Sequence, residues 1–441
     1  MNCERRHAAD LGQASRLLVV VDFIMSVNFL IMLKFSLYFS IDMLYNDICI
    51  FMLYNYAQKK LYGGNILEHY LDNSATTVVS ENSAKKAYEI MTRNYGNPSS
   101  LHTKGMQAEQ ELINARKMVA RTMGATSDEL FFTSGGTEAN NTALFGACEA
   151  KKRRGNKIVI SSVEHSSIME SALKLENDGY EVVRISPRSD GIVCAEDVVN
   201  AVDENTVLVS VMLVNNETGA IMPIPEIFSA VKEKNPDTVC HTDAVQAFGK
   251  IDVNAKRLNA DLISVSAHKV HAPKGVGALY VKKGLRIIPR QYGGEQEKKI
   301  RMGTEALPLI GAFGVAVSEF NIVENFKNIK KLNEYAKEKL LQIKGVSINS
   351  PENALPYVLN ISAGKVRSET MLHFLEELDV FISSGSACAK GKPSHVLSAM
   401  GISKDMADSA LRISFSKYNT TEDVDALCKG VEMGLSVLAH R

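Results

Sequence analysis

The 441-residue chain carries 50 Lys and Arg against 50 Asp and Glu, so its formal net charge is zero and it has no electrostatic footprint for nonspecific binding to nucleic acid or an anionic membrane. At 45% hydrophobic residues it has the apolar content for a large core and the length for two or three domains. Its seven cysteines include no Cys-x-x-Cys pair, which argues against a disulfide framework or a structural zinc site and suits a reducing cytoplasm.

Residues 1–66 differ in character from the rest. Leu17 to Leu33 is nearly continuous apolar sequence, broken by Asp22, Ser26 and Asn28, and a second, aromatic-rich run spans Phe35 to Tyr54. The first run lies at the lower limit of a membrane span. Arg5, Arg6 and Arg16 precede it and only Lys34 follows closely, so the positive-inside rule would export everything downstream. No small-residue cleavage pattern follows it. The expectation is an extension outside the functional protein, with a start assigned too far upstream, and a cytoplasmic chain rather than one tethered through residues 17–54. Intact-mass analysis of native protein that finds residues 1–60 overturns it.

From residue 70 the pattern alternates between helical spacing and short apolar runs. Residues 105–123 and 137–154 read as helices. Leu130-Phe-Phe132, Lys157 to Ile160, Val182 to Ile185, Val207 to Val214, Val239 to His241, Leu262-Ile263 and Gly277 to Val281 read as strands. Runs without polar alternation are what strands buried on both faces look like. The predicted fold class is therefore α/β, with a mostly parallel central sheet flanked by helices. A long helical stretch from 305 to 343 ends near Gly345. Short strands near 357–362 and 380–382 and a final helix at 421–439 follow, as a smaller α+β C-terminal domain. The expected boundaries are an N-terminal segment at 67–82 packing with the small domain, a large domain at 83–323 and the small domain at 324–441.

Ligands of parallel sheets gather at the carboxyl ends of the strands, and the residues there form a set. Thr133-Ser-Gly-Gly-Thr-Glu-Ala139 is a Gly-rich turn opening a helix, a seat for phosphate. Ser161-Ser-Val-Glu-His165 puts an imidazole at a strand end. Asn215-Asn-Glu-Thr-Gly219 supplies polar groups. Thr242-Asp243 supplies a carboxylate that is costly to bury unless it meets a cation. Ser266, His268 and Lys269 follow the next run. A desolvated lysine is the residue type that forms Schiff bases with carbonyl cofactors. Together these are the parts that pyridoxal phosphate requires: a phosphate cradle, a ring-stacking group, a carboxylate for the ring nitrogen, donors for the ring hydroxyl and an anchoring lysine. Between Asp243 and Lys269 runs a connection of helix length.

Ile382-Ser-Ser-Gly-Ser-Ala-Cys388-Ala-Lys-Gly-Lys-Pro393 places Cys388 among small residues with lysines nearby, a setting that favours an accessible thiolate. Arg412, alone in the apolar run Leu411-Arg-Ile-Ser414, needs an anion, and an amino-acid carboxylate gripped bidentately is the natural one. No metal site is expected.

Tyr70-Leu-Asp-Asn-Ser-Ala-Thr-Thr77, Gly96-Asn-Pro-Ser-Ser100, Ser134-Gly-Gly-Thr-Glu138, Glu164-His165, Val214-Asn-Asn-Glu217, His241-Thr-Asp243, His268-Lys269, Arg301-Met-Gly-Thr304 and Ser383-Ser-Gly-Ser-Ala-Cys388 occur in this order, and the set resembles cysteine desulfurases of the NifS/IscS type. The resemblance runs from residue 70 to the end. It implies a fold-type-I, class-V aminotransferase-like homodimer that uses pyridoxal 5'-phosphate to take sulfur from L-cysteine, leaving L-alanine and a persulfide on Cys388. In that reading Lys269 carries the cofactor, His165 stacks on its ring, Asp243 pairs with the ring nitrogen, and Asn216 and Gln246 lie near the ring hydroxyl. Gly136, Thr137, Ser266 and His268 hold the phosphate, joined by Thr304 from the other subunit. Arg412, with Asn216, takes the substrate carboxylate. The sulfur passes to a protein acceptor, an iron–sulfur scaffold or a tRNA-thiolating enzyme, with no direct nucleic-acid contact. Only Ala-Lys-Gly-Lys separates Cys388 from Pro393, a short form of this loop that limits its reach. A selenocysteine lyase or another class-V enzyme shares the Lys269 machinery, and an aminotransferase has no need of Cys388. A membrane-tethered scaffold that has lost catalysis is the reading from a different class.

Overall fold

A computed structural model gives the fold and describes residues 68–384 and 394–438. The expectations placed on residues 1–66 and on Cys388 with its loop lie outside the described residues.

The described chain opens with β1 (His69–Tyr70), α1 (Glu81–Thr92) and α2 (Thr103–Thr122). It then alternates: β2 (Leu130–Thr133), α3 (Gly136–Lys151), β3 (Lys157–Ser161), α4 (Ser166–Asn177), β4 (Glu181–Ile185), α5 (Ala195–Ala201), β5 (Thr206–Ser210), α6 (Ile224–Lys234), β6 (Val239–Asp243), β7 (Leu262–Ser266) and β8 (Gly277–Val281). These strands form one seven-stranded sheet in the order β2-β8-β7-β6-β5-β3-β4. Neighbours from β7 across to β4 pair in parallel, and β8 runs antiparallel to both β2 and β7. Every residue of β5, β6, β7 and β8 is buried, while the edge strand β4 is buried only at Ile185. This is the unalternated apolar pattern of strands covered on both faces. α3 packs across β5 to β8, and its Ala143, Leu144 and Ala147 join Ile158, Ile160, Leu208 and Leu279 in the core.

With β8 alone reversed, the carboxyl ends of β2, β3, β5, β6 and β7 share one edge. The start of β8 returns to that edge, where Gly277 is in register with both Thr133 and Ser266. A Cβ on Gly277 would stand 2.7 Å from backbone atoms of Gly135 and from the Val265 carbonyl. A glycine there lets the turn before α3 close onto the tip of β7.

Two elements differ from the sequence expectation. The connection between β6 and β7 is built of turns, without an α-helix. Gly249 takes a left-handed φ of 72° there, which ends any helical run, and a Cβ at that position would collide with the Phe320 ring at 2.6 Å. The stretch expected as one helix from 305 to 343 is two, α7 (Leu307–Ser318) and α8 (Ile322–Leu341), bent by 76°. α7 is apolar all round and buried between α1 and α2, whereas α8 has one apolar stripe. Asn321, with φ −124° and ψ 70°, makes the corner between them. No single helix among the described residues is long and apolar enough to cross a membrane.

The remaining elements are β9 (Val346–Ile348), β10 (Val358–Ala363), α9 (Ser368–Glu377), β11 (Val380–Phe381), α10 (His395–Ala399), α11 (Lys404–Asp408), β12 (Ala410–Ser414) and α12 (Thr421–Val437). β12, β10 and β9 form an antiparallel sheet, and β1 pairs in parallel with β11. Past β1 the chain bridges from Asp72 to Ser414 and then hydrogen-bonds from Thr77 N–H to the His268 carbonyl at 2.9 Å. Residues 69–77 thus run as a strap from the small sheet to the tip of β7.

Candidate active site

Lys269 lies in the single turn that follows β7 and points its Nζ at the strap, donating to the carbonyls of Ser74 at 2.5 Å and Ala75 at 2.7 Å. His268 gives its carbonyl to Thr77, and its Nδ1 meets Thr76 Oγ1 at 3.2 Å. Burial pushes the His268 imidazole down to about 4, with the charges of Lys269, Lys274 and Lys250 adding to the effect, so the ring is neutral at neutral pH. Ser266, the last residue of β7, is 2% exposed, and its Oγ has no hydrogen-bond partner among the described residues.

Asp243 ends β6 and is 4% exposed. Its Oδ2 accepts from Asn140 Nδ2 at 2.7 Å and its Oδ1 from the Val245 N–H at 2.9 Å. Two residues back on the same face, His241 is held between Ser210 Oγ (2.8 Å) and Ser264 Oγ (3.0 Å), and burial pushes it down to about 3. It is a core histidine. His165 caps α4, its Nδ1 accepting from the Ser167 N–H at 3.1 Å. Burial depresses its pKa, as do the charges of Lys269 and His395, while Asp243 opposes them. His165 follows β3, Asp243 ends β6 and Lys269 follows β7, so the imidazole, the carboxylate and the amine stand along the same carboxyl edge. Beneath it, burial pushes the Glu164 carboxyl up to about 8, although Ser161 Oγ and the Met212 N–H donate to it.

Gly136 and the exposed Thr137 form the first turn of α3, whose unpaired N–H groups and dipole suit an anion. Gln246 donates from Nε2 to the Ser74 carbonyl at 3.0 Å. Asn216 offers its backbone carbonyl to Arg412 Nη1 at 3.3 Å. Arg412, from the middle of β12, is 4% exposed. It pairs through Nη2 with Asp72 of the strap at 2.8 Å, and its Nε has no partner among the described residues. Glu217, raised to about 7 by burial, accepts from Ser394 Oγ at 2.5 Å. Thr304 is exposed on the segment whose Arg301 pairs with Glu138 of α3, and the role expected of it belongs to a second copy of the chain. The structure thus gathers Lys269, His165, Asp243, Ser266, His268, Gln246 and the α3 turn at one edge, and the strap links them to Arg412.

Sequence reasoning passed over four groups here. Asn140, a buried amide one turn into an apolar helix, carried a readable signal. So did Asp72, a carboxylate within the Tyr70–Thr77 motif, and Lys250, four residues after Gln246. The Ser74 and Ala75 carbonyls carry none, because any residue supplies a carbonyl.

Comparison with known proteins gives consistent matches. The family model described as Aminotransferase class-V matches residues 69–427. The chain is 39% identical over 367 residues to the "Cysteine desulfurase IscS" of Methanosarcina thermophila, covering 82% of this chain and 90% of that protein. A solved "NIFS-LIKE PROTEIN" superposes with a TM-score of 0.79 at 37% identity, covering 84% of this chain and 100% of its own. A structure described as "SspA in complex with cysteine" gives a TM-score of 0.71 at 33% identity over 80% of this chain and 99% of that one.

Proposed function

The chain belongs to the aminotransferase class-V family as a cysteine desulfurase, and on that premise we propose that pyridoxal phosphate held on Lys269 and a thiolate at Cys388 together take the sulfur of L-cysteine. What carries the reading is the convergence of Lys269, His165 and Asp243 at the carboxyl edge, with Arg412 brought to them by the strap.

The residues fit the cofactor. The buried, unpartnered Ser266 Oγ stands beside the turn that opens α3, where a phosphate would give it an acceptor. Gly136, Thr137, Ser266 and His268 would hold the phosphate, with Thr304 of a second copy in a homodimer. Asp243, oriented by Asn140 and the Val245 N–H, would pair with the protonated ring nitrogen. His165, neutral through burial, would cover the ring face, and Asn216 and Gln246 would flank the ring hydroxyl. When bound, pyridoxal phosphate supplies an electron sink conjugated to the substrate Cα.

The chain's own residues do the rest. Arg412 takes the α-carboxylate through its unpartnered Nε. The Lys269 amine, released when the substrate amine replaces it, moves the Cα proton. The Cys388 thiolate attacks the substrate sulfur: an S–S bond forms, the Cβ–S bond breaks, and its electron pair stays with the carbon skeleton. That skeleton takes up a proton and leaves as L-alanine, and Cys388 is left as a persulfide. A protein acceptor, an iron–sulfur scaffold or a tRNA-thiolating enzyme, then takes the terminal sulfur in the cytoplasm.

The test is Cys388→Ala in the full chain. It is expected to keep the cofactor trapped on Lys269 by borohydride while losing alanine formation from L-cysteine. Alanine formation at the native rate would overturn the role of Cys388 and favour a lyase that works without a thiol. Comparing L-selenocysteine with L-cysteine on the native chain separates the selenocysteine reading.

A further inference from the structure

Lys250, in the turns between β6 and β7, is 6% exposed. A lysine so buried has lost the hydration of its ammonium and is rare without a specific partner. Its Nζ donates to Gln246 Oε1 at 3.0 Å and stands 5.7 Å from the centre of the Tyr357 ring. The charged form of Lys250 has donors only, so Oε1 is the end of the amide that faces it. The Gln246 Nε2 is thereby turned to the Ser74 carbonyl, the same oxygen that receives Lys269 Nζ. A hydrogen-bonded line of one side-chain amide and one carbonyl therefore joins the two amines.

They are also joined electrostatically. Burial, joined by the charges of Lys269 and Arg412, lowers Lys250 to about 7. Such coupling is reciprocal: a proton on either amine disfavours one on the other. The two lysines line one cavity together with His271, Glu319, Tyr357 and Lys417, and Lys250 also acts on His268 from within the same cluster. Among these groups Glu319 is the carboxylate, and it is paired with Lys417 at 3.7 Å.

We propose that Lys250 is a positioning residue for Lys269: the amide it orients holds the Ser74 carbonyl against the Lys269 amine, and its positive charge favours the uncharged, reactive form of that amine. The inference rests on the reading of Lys269 as the amine that reacts. A neutral amine is the nucleophile and the base, and a like charge beside it is a means of keeping it so.

The test uses the cofactor-free full chain at pH 6, below the value to which Lys250 is lowered, so that Lys250 carries its charge. An amine-acylating reagent is applied and the initial labelling of Lys269 is read by peptide mass spectrometry against an exposed lysine such as Lys404. Lys250→Met and Lys250→Gln are each expected to slow Lys269 labelling about threefold, because a coupled amine pair shares its protons. Lys250→Arg, which keeps the charge, is expected to hold the native rate. Thermal melting checks that each variant is folded, and the Gln variant serves if the Met variant is not. An unchanged or faster rate in the uncharged variants overturns the proposal, as does an equal fall in the Arg variant. Failure of the Lys269 reading itself would look different: borohydride would fix the cofactor on another residue of the native holoenzyme.

Discussion

The carboxyl edge of the seven-stranded sheet and the small sheet solve the problem of holding charge in opposite ways. At the large sheet the groups stand on strand tips and helix starts, and several buried polar atoms, Ser266 Oγ and Asn140 Oδ1 among them, have no partner among the described residues. At the small sheet Arg412 stands in mid-strand, in register with Asn360, and already holds a carboxylate of its own chain, Asp72. The first region is shaped to receive a group that completes it. The second keeps its cation neutralised, so a ligand carboxylate there adds to or displaces an existing ion pair. Buried charges are retained only when paired, which is why Arg412 can be so deeply buried before a ligand arrives.

The comparison breaks most visibly at Asp243. Asp243→Ala removes the acceptor of two donors and the charge that a ring nitrogen would meet, and we expect kcat for L-cysteine to fall roughly a thousandfold, the scale of losing a preorganised electrostatic group. Asn140→Leu leaves the carboxylate with the Val245 N–H alone, and a fall of about tenfold is expected. If the two variants fall equally, Asn140 is more than a positioning group for Asp243.

The small sheet sets the next scale. Arg412→Lys loses the planar fork, and an increase in KM of about a hundredfold with a smaller change in kcat is expected from losing a bidentate pair. Asp72→Asn removes the competing negative charge while keeping a polar partner, and KM is expected to fall severalfold. A rise in KM would make Asp72 a strut that aims Arg412 rather than a charge that the substrate works against.

The same contrast governs how much was legible in the sequence. The strand-tip site was readable because each strand announces itself as an apolar run and its functional residue comes immediately after: Asp243 after Val239 to His241, Lys269 after Leu262 to Val265. Arg412 was readable as an anion binder because it is alone in an apolar strand. That Asp72 is its partner was not, because Asp72 lies 340 positions away in the chain and is brought there by the pairing of β1 with β11 and the bridge from Asp72 to Ser414. The bend between α7 and α8 was missed because the apolar content of both helices runs through the corner, so spacing alone gave one long stretch. The turns between β6 and β7 were missed because a connection of helix length reads as a helix, and Lys250 was passed over with them.

The smallest effect expected is on stability, and it belongs to the large sheet. His241 is fully buried between two serine hydroxyls and is pushed down to about 3, while an unfolded histidine titrates near 6.5. The unfolded chain therefore takes up a proton below about 6.5 that the folded chain refuses until about 3. The stabilisation is fully present above the unfolded value and is lost as pH falls through that window. By pH 4.5 a single such group accounts for roughly 3 kcal/mol of that loss. His268 and His271, both lowered to about 4, act in the same direction over a narrower range. Thermal midpoints of the cofactor-free chain are expected to drop from pH 7 to pH 4.5, and His241→Gln, which keeps hydrogen bonding without titrating, should flatten that drop. A variant whose midpoint falls as steeply as the native one would move the acid sensitivity to the strap, where His268 and His271 meet Thr76 and Thr77. The loss would then begin where the two sheets are joined, rather than inside the large one.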